Sequence, residues 1–169
     1  ICAGTTTTLT AQGSGGNGGP YTYDWYEGTN LLGQGASFDV TPMTTNLNYC
    51  VIISEACGSP VDTACTTVIV EPAPILSFTA DILSGCYPID VEFTNTSQGT
   101  IANSTWYFGD GTSEQVVGTS SVIHTYDGEG LFDVTLEVES GQGCIYDTTY
   151  TSYIEAFGHP NANMTFSPN

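Results

Sequence analysis

The chain has 169 residues, with 18 Asp and Glu, two His and no Lys or Arg. Without a fixed cation it cannot neutralise phosphates, which excludes nucleic acid and anionic membranes as partners, and no Lys or Arg salt bridge can form anywhere. A hydrophobic content of 40% with repeated two-residue alternation excludes a disordered acidic chain, and the many Thr, Ser, Gly and Tyr read as an all-β, extracellular protein.

In chain order, Thr7, Leu9 and Ala11 alternate with polar residues and predict a strand. The Gly-rich stretch from Gly13 to Pro20 reads as a turn region. A phosphate loop would need a Lys and a following helix, and neither is present. Tyr21, Tyr23 and Trp25 share one strand face. Trp25 lies between early and late cysteines, as the core tryptophan of an immunoglobulin-like fold does, so core packing is favoured over sugar stacking.

Asn48 to Ile53 and Ala64 to Val70 predict a final hairpin, with Tyr49, Val51 and Ile53 facing the core from one strand and Thr66, Val68 and Val70 from the other. Cys50 and Cys65 fall on the opposite parity. Pairing them sets Val51 against Ala64, Tyr49 against Thr66 and Ile53 against Asp62, which keeps most of both apolar faces inward. Cys57 then lies at the hairpin tip, roughly 20 Å from Cys65 and too far for a bridge. The expected pairs in this half are Cys50 with Cys65 and Cys2 with Cys57. Six cysteines in an even set imply an oxidising compartment, and no close Cys-x-x-Cys pair suggests zinc.

Glu71-Pro72-Ala73-Pro74 reads as a stiff, extended linker. Beyond it Cys86 precedes an alternating strand with Ile89, Val91 and Phe93, much as Cys2 precedes Leu9. Cys144 follows the long strand Phe132, Val134, Leu136, Val138, much as Cys57 follows Ile53. This weak internal repeat predicts a third bridge, Cys86 with Cys144. The tail from Gly158 carries Pro160 and then Met164-Thr165-Phe166. It parallels Pro74-Ile75-Leu76-Ser77-Phe78-Thr79-Ala80 and reads as the start of a further module. The predicted organisation is therefore 1–71, 72–157 and 158–169. No signal peptide or transmembrane run is visible, which suggests a window cut from a longer exported chain.

The most informative stretch joins Trp106-Tyr107-Phe108-Gly109-Asp110-Gly111 to His124-Thr125-Tyr126, followed by alternating Phe132 to Val138. Trp106 and Phe108 share a face, and the glycines make a hard reversal. These residues resemble the PKD domain. That resemblance implies an immunoglobulin-like β-sandwich with Trp106 in its core, no catalytic activity, and a role as an extracellular spacer or interaction module. The wider layout resembles the stalk of Bacteroidota surface proteins of the gliding-motility adhesin type, exported by type IX secretion: a cysteine-bearing immunoglobulin-like module, a PKD module beginning Gly-Cys-Tyr-Pro, and a Pro-Asn-Ala-Asn start. In that phylum Asp-Thr-x is an O-glycosylation acceptor, which marks Thr63 and Thr148. Asn95, Asn103 and Asn163 match the N-glycan acceptor, which in a bacterium is usually left empty.

Catalytic residues are not expected. His124 lies inside the structural motif and His159 beside a proline, which leaves no histidine for a triad, and the many carboxylates alternate on wet strand faces. No organic cofactor is expected. Calcium is the one candidate ion, with Asp110, Asp127 and Glu129 in or beside turns. The expected function is a non-enzymatic structural or adhesive segment of a large surface protein or filament. Its partners would be neighbouring modules and surface glycans or proteins, without membrane insertion. The alternative is an accessory spacer or substrate-binding stalk of a secreted polysaccharidase or protease.

Overall fold

The computed structural model describes residues 1–16, 18–43, 47–56 and 61–165, and every regular element among them is a β-strand. The chain divides into two compact units, Ile1–Ala73 and Pro74–Asn169. Each is built from two β-sheets in the immunoglobulin-like manner, with inward positions alternating along the strands.

The first unit contains β1 (Thr7–Thr10), β2 (Tyr21–Glu27), β3 (Asn30–Gln34), β4 (Ser37–Val40), β5 (Leu47–Glu55) and β6 (Asp62–Val68). One sheet has the order β3-β2-β5-β6, and the other is the antiparallel pair β1-β4. Trp25, Val40, Tyr49, Val51, Val68 and Val70 are its buried hydrophobic side chains among the described residues. Trp25 stacks on Phe38 and donates from Nε1 to the Gly35 carbonyl at 2.8 Å. Tyr21 and Tyr23 on the same strand are half-buried, and their hydroxyls hold the Gly13–Gly15 loop rather than fill the core.

The β5–β6 ladder sets Val51 against Ala64, Tyr49 against Thr66 and Ile53 against Asp62, and a disulfide joins Cys50 to Cys65. Thr66, expected in the core, is instead exposed. Beyond β6 the chain turns parallel to its own beginning: Glu71 donates to the Ile1 carbonyl at 2.9 Å and Ala3 donates to the Glu71 carbonyl at 3.2 Å.

The second unit contains β7 (Phe78–Ala80), β8 (Ser84–Cys86), β9 (Ile89–Asn95), β10 (Asn103–Tyr107), β11 (Ser113–Val117), β12 (Val122–Tyr126), β13 (Gly130–Glu139) and β14 (Ile145–Phe157). Its sheets have the orders β12-β9-β7 and β11-β10-β13-β14-β8, the last pair parallel. Alternation explains the burial. Val91, Phe93, Trp106, Val134, Leu136, Val138 and Ile154 are fully enclosed, whereas Asp90, Glu92 and Leu131 on the other parities face solvent. Phe78 of β7 stacks on Tyr150 at 4.2 Å and meets Trp106 edge-on at 5.2 Å.

The bridge expected between Cys86 and Cys144 is not made. Cys86 is an exposed free thiol, whereas Cys144 is buried and disulfide-bonded. Register explains the difference: Cys86 pairs beside Phe157 at the end of β14, while Cys144 precedes the start of that strand. Roughly 40 Å of extended strand separates them, against about 4–7 Å for bridged Cα atoms. Cys2 is also disulfide-bonded, and the expected Cys2–Cys57 pair lies outside the described residues because of Cys57.

Candidate functional site

The tryptophan and histidine motifs meet at one end of the second unit, where the β10–β11 turn closes over β12 and β13. Trp106, Phe108 and Tyr126 are all within 1% of complete burial. After Phe108 the chain reverses with Gly109 at φ 85° and Gly111 at φ 93°. A side chain at Gly109 would also run into the Asp133 backbone, so two separate constraints require glycine there.

Asp110 organises the turn. One carboxylate oxygen accepts from the Thr112 amide at 2.9 Å and from its hydroxyl at 2.6 Å, and the other meets His124 Nε2 at 2.7 Å. The His124 ring lies flat on Phe108, with centroids 3.9 Å apart, and meets Tyr126 edge-on at 4.7 Å. Tyr126 donates to the Phe108 carbonyl at 2.9 Å. The loop backbone, the histidine and the buried tyrosine are thereby tied together.

The electrostatics follow from these contacts. Burial pushes the Asp110 carboxyl up, but hydrogen bonds from the Thr112 hydroxyl and amide, with His124, outweigh it and hold the group below the usual carboxylate range. Burial raises the Tyr126 hydroxyl far above its ordinary value, and the Asp110 carboxylate adds to the effect. In the first unit burial and the neighbouring Glu27 raise Tyr49 in the same way. Asp110 and His124 hydrogen-bond as a catalytic pair would, yet His124 is stacked on Phe108 and Tyr126 points into the core. The pair fastens a turn.

The calcium candidates are not gathered into a site. Among the described residues no three His, Cys, Asp or Glu side chains come together to hold a metal ion. Asp110 is engaged by Thr112 and His124, whereas Asp127 and Glu129 lie on the separate turn between β12 and β13. The two O-glycosylation candidates sit differently. Thr63 is exposed on the edge strand β6, whereas Thr148 is half-buried on the parity that pairs with enclosed Leu136. Asn95 is buried and donates to Ser104, which removes it as a glycan acceptor.

Sequence reasoning missed Thr112, whose signal was the Asp-Gly-Thr spacing of an Asx turn. It also missed Tyr153, whose hydroxyl oxygen accepts from the Ala80 amide at 3.1 Å and so fixes β7. Among the described residues no helix is long and apolar enough to cross a membrane.

Among solved structures, the I-band fragment I67–I69 of titin resembles the chain at 15% identity with a TM-score of 0.53, covering 93% of this chain and 62% of the fragment. The fibronectin(III)-like modules of Clostridium thermocellum CbhA give 14% identity and a TM-score of 0.43, covering 97% and 94%. Three domains of the Hoc capsid protein of bacteriophage RB49 give 16% identity and 0.41, covering 94% and 55%. At these identities the titin likeness speaks for the fold alone. No curated protein matches the chain. The PKD domain matches residues 71–155, which include β7 to β13 and most of β14, and through them the chain belongs to the PKD domain family.

Proposed function

We propose that the chain is a non-enzymatic, load-bearing segment of a large extracellular multidomain surface protein, of the kind that the resemblance to type IX-exported Bacteroidota adhesins suggests. Membership of the PKD family and disulfide-bonded cysteines support an extracellular setting. On this reading residues 1–71 and 72–157 are successive modules, 158–169 opens a third, and the chain's partners are neighbouring modules and surface glycans or proteins. The ionisable groups of the motif are occupied in fastening a turn, which supports a structural role over a catalytic one.

The observation that carries the reading is the parallel pairing of β8 with the last strand, β14. Glu155 donates to the Leu83 carbonyl at 2.9 Å and Tyr87 donates to the Phe157 carbonyl at 3.1 Å. Tension on the two ends of the unit draws parallel strands past each other, so the hydrogen bonds between them share the load. An antiparallel hairpin such as β10–β11, pulled at its open end, breaks its bonds one at a time.

Single-molecule pulling tests this. The full chain held at its termini should unfold the second unit at a force several-fold above that needed when handles are attached at Asn103 and Val117, across the β10–β11 hairpin. Equal forces in the two directions would remove the mechanical argument for a stalk.

A further inference from the structure

The 169 residues contain no Lys or Arg, so a carboxylate that folding draws towards the core must be met by hydrogen bonds or by a cation from another molecule. Two half-buried carboxylates are met in the first way: Asp24 accepts from the Gln34 amide at 2.6 Å and Glu139 from the Asn103 amide at 2.9 Å. Glu27 is not. Trp25 and Glu27 fall on one face of β2, directly opposite the buried Val51 and Tyr49 of β5. Glu27 is half-buried there, yet among the described residues its carboxylate has no hydrogen bond or ion pair. Its neighbour has the same need. Tyr49 is 4% exposed, and its hydroxyl makes no hydrogen bond among the described residues either. Both residues line a groove of about 300 Å³ within the first unit, whose apolar lining includes Leu32, Phe38 and Leu47.

We infer that this groove takes a basic side chain, lysine or arginine, of a partner polypeptide. The alkyl stem lies along Leu32, Phe38 and Leu47, and the head donates to the Glu27 carboxylate and to the Tyr49 hydroxyl oxygen. An inorganic cation would leave the apolar lining unused, and one carboxylate with one hydroxyl offers too few oxygens for calcium. Charge selects the partner as well. With 18 carboxylates and no fixed cation, these residues attract a basic chain from a distance and repel a second copy of themselves. That a polypeptide carries the cation rests on the function proposed above, in which the partners include surface proteins; the groove itself calls for a cationic head on an apolar stem.

Titration of the full chain with capped glycine-serine pentapeptides that carry a central lysine, arginine or norleucine, followed by amide chemical shifts, tests this. The lysine and arginine peptides should shift Glu27, Phe38 and Tyr49 saturably, and the norleucine peptide should bind at least about tenfold more weakly. Glu27→Gln keeps the size and polarity of the side chain and should weaken the lysine peptide about tenfold or more, and Tyr49→Phe about threefold. Glu92→Gln removes an exposed carboxylate of the second unit and should change the affinity by less than about twofold. An equal loss from Glu92→Gln, or equal binding of the norleucine peptide, would overturn the inference, since diffuse attraction or apolar contact would then suffice. If n-butylammonium binds as tightly as the lysine peptide, the polypeptide source is overturned and the groove is a site for small amines. Unfolding forces do not depend on the groove, so this inference and the load-bearing reading can fail separately.

Discussion

The two units follow one plan with different means of holding together. In the second, β7 closes the smaller sheet and brings Phe78 against Trp106 and Tyr150, and the inward residues of β9, β10 and β13 are almost wholly enclosed. Among the described residues of the first, β1 pairs with β4 and no third strand joins that sheet. Its larger sheet is bare along β6, and a disulfide joins that edge strand to β5. Charge runs in the opposite sense. Twelve of the eighteen carboxylates lie in the second unit and six in the first. The denser like charge thus lies around the more enclosed core.

The largest expected effect breaks the closure. Phe78→Ala removes a ring that is 2% exposed and touches Trp106, Tyr150 and Tyr153, and should cost about 3–5 kcal/mol in the second unit. Thr66→Ala alters an exposed position on β6 and should stay within about 0.5 kcal/mol. Chemical denaturation of the two variants measures both, and similar losses would refute the asymmetry between the units.

Next comes the covalent tie. Cys50→Ser with Cys65→Ser opens a bridge spanning 15 residues and should cost about 3 kcal/mol, confined to the first unit. Trp25 reports on that unit, and hydrogen exchange in β9 and β13 reports on the other. A loss that spreads equally to both would show that the effect of the tie is not local to the first unit.

How far these differences were legible in the sequence depends on the range of the interaction. The β5–β6 register could be read because Cys50 and Cys65 share a parity opposite to that of Tyr49 and Val51. The closed turn could be read because Gly109, Asp110 and Gly111 are local in sequence. That Cys86 is a free thiol and Cys144 a bonded one could not. The repeat places both in matching stretches, but strand direction decides the pairing, and β14 carries its two ends far apart. The exposure of Thr66 was hidden for a similar reason. Alternation assigns it to the inward face, and whether a strand covers that face depends on a distant segment.

A smaller effect tests the turn that closes the second unit. The folded Asp110 carboxyl titrates below its ordinary range, so its contribution is present above the unfolded value of about 3.9 and is lost as pH falls through the lower, folded value. Asp110→Asn should cost about 1 kcal/mol at neutral pH, since the group is partly solvated and Asn keeps an acceptor. The gap between wild type and variant should narrow as pH falls from 5 towards 2.5. A gap independent of pH would mean that the Asp110 charge contributes nothing and only turn geometry matters.

The smallest effect returns to the uneven charge. With no Lys or Arg to offset them, the carboxylates repel one another in the folded state, and salt weakens that repulsion beyond a distance of about 10 Å at 0.1 M. Melting temperature should therefore rise with NaCl, and more for the second unit than for the first. About 1 kcal/mol of relieved repulsion corresponds to about 4–8 °C for a domain of this size. Because the described residues gather no three ligating side chains, calcium should act as a stronger screening ion. Its effect should rise smoothly, without a stoichiometric break, and should survive Asp110→Asn. If salt moves both units equally, local spacing on the strand faces rather than total charge governs the repulsion, and twelve carboxylates against six is the wrong measure of the difference.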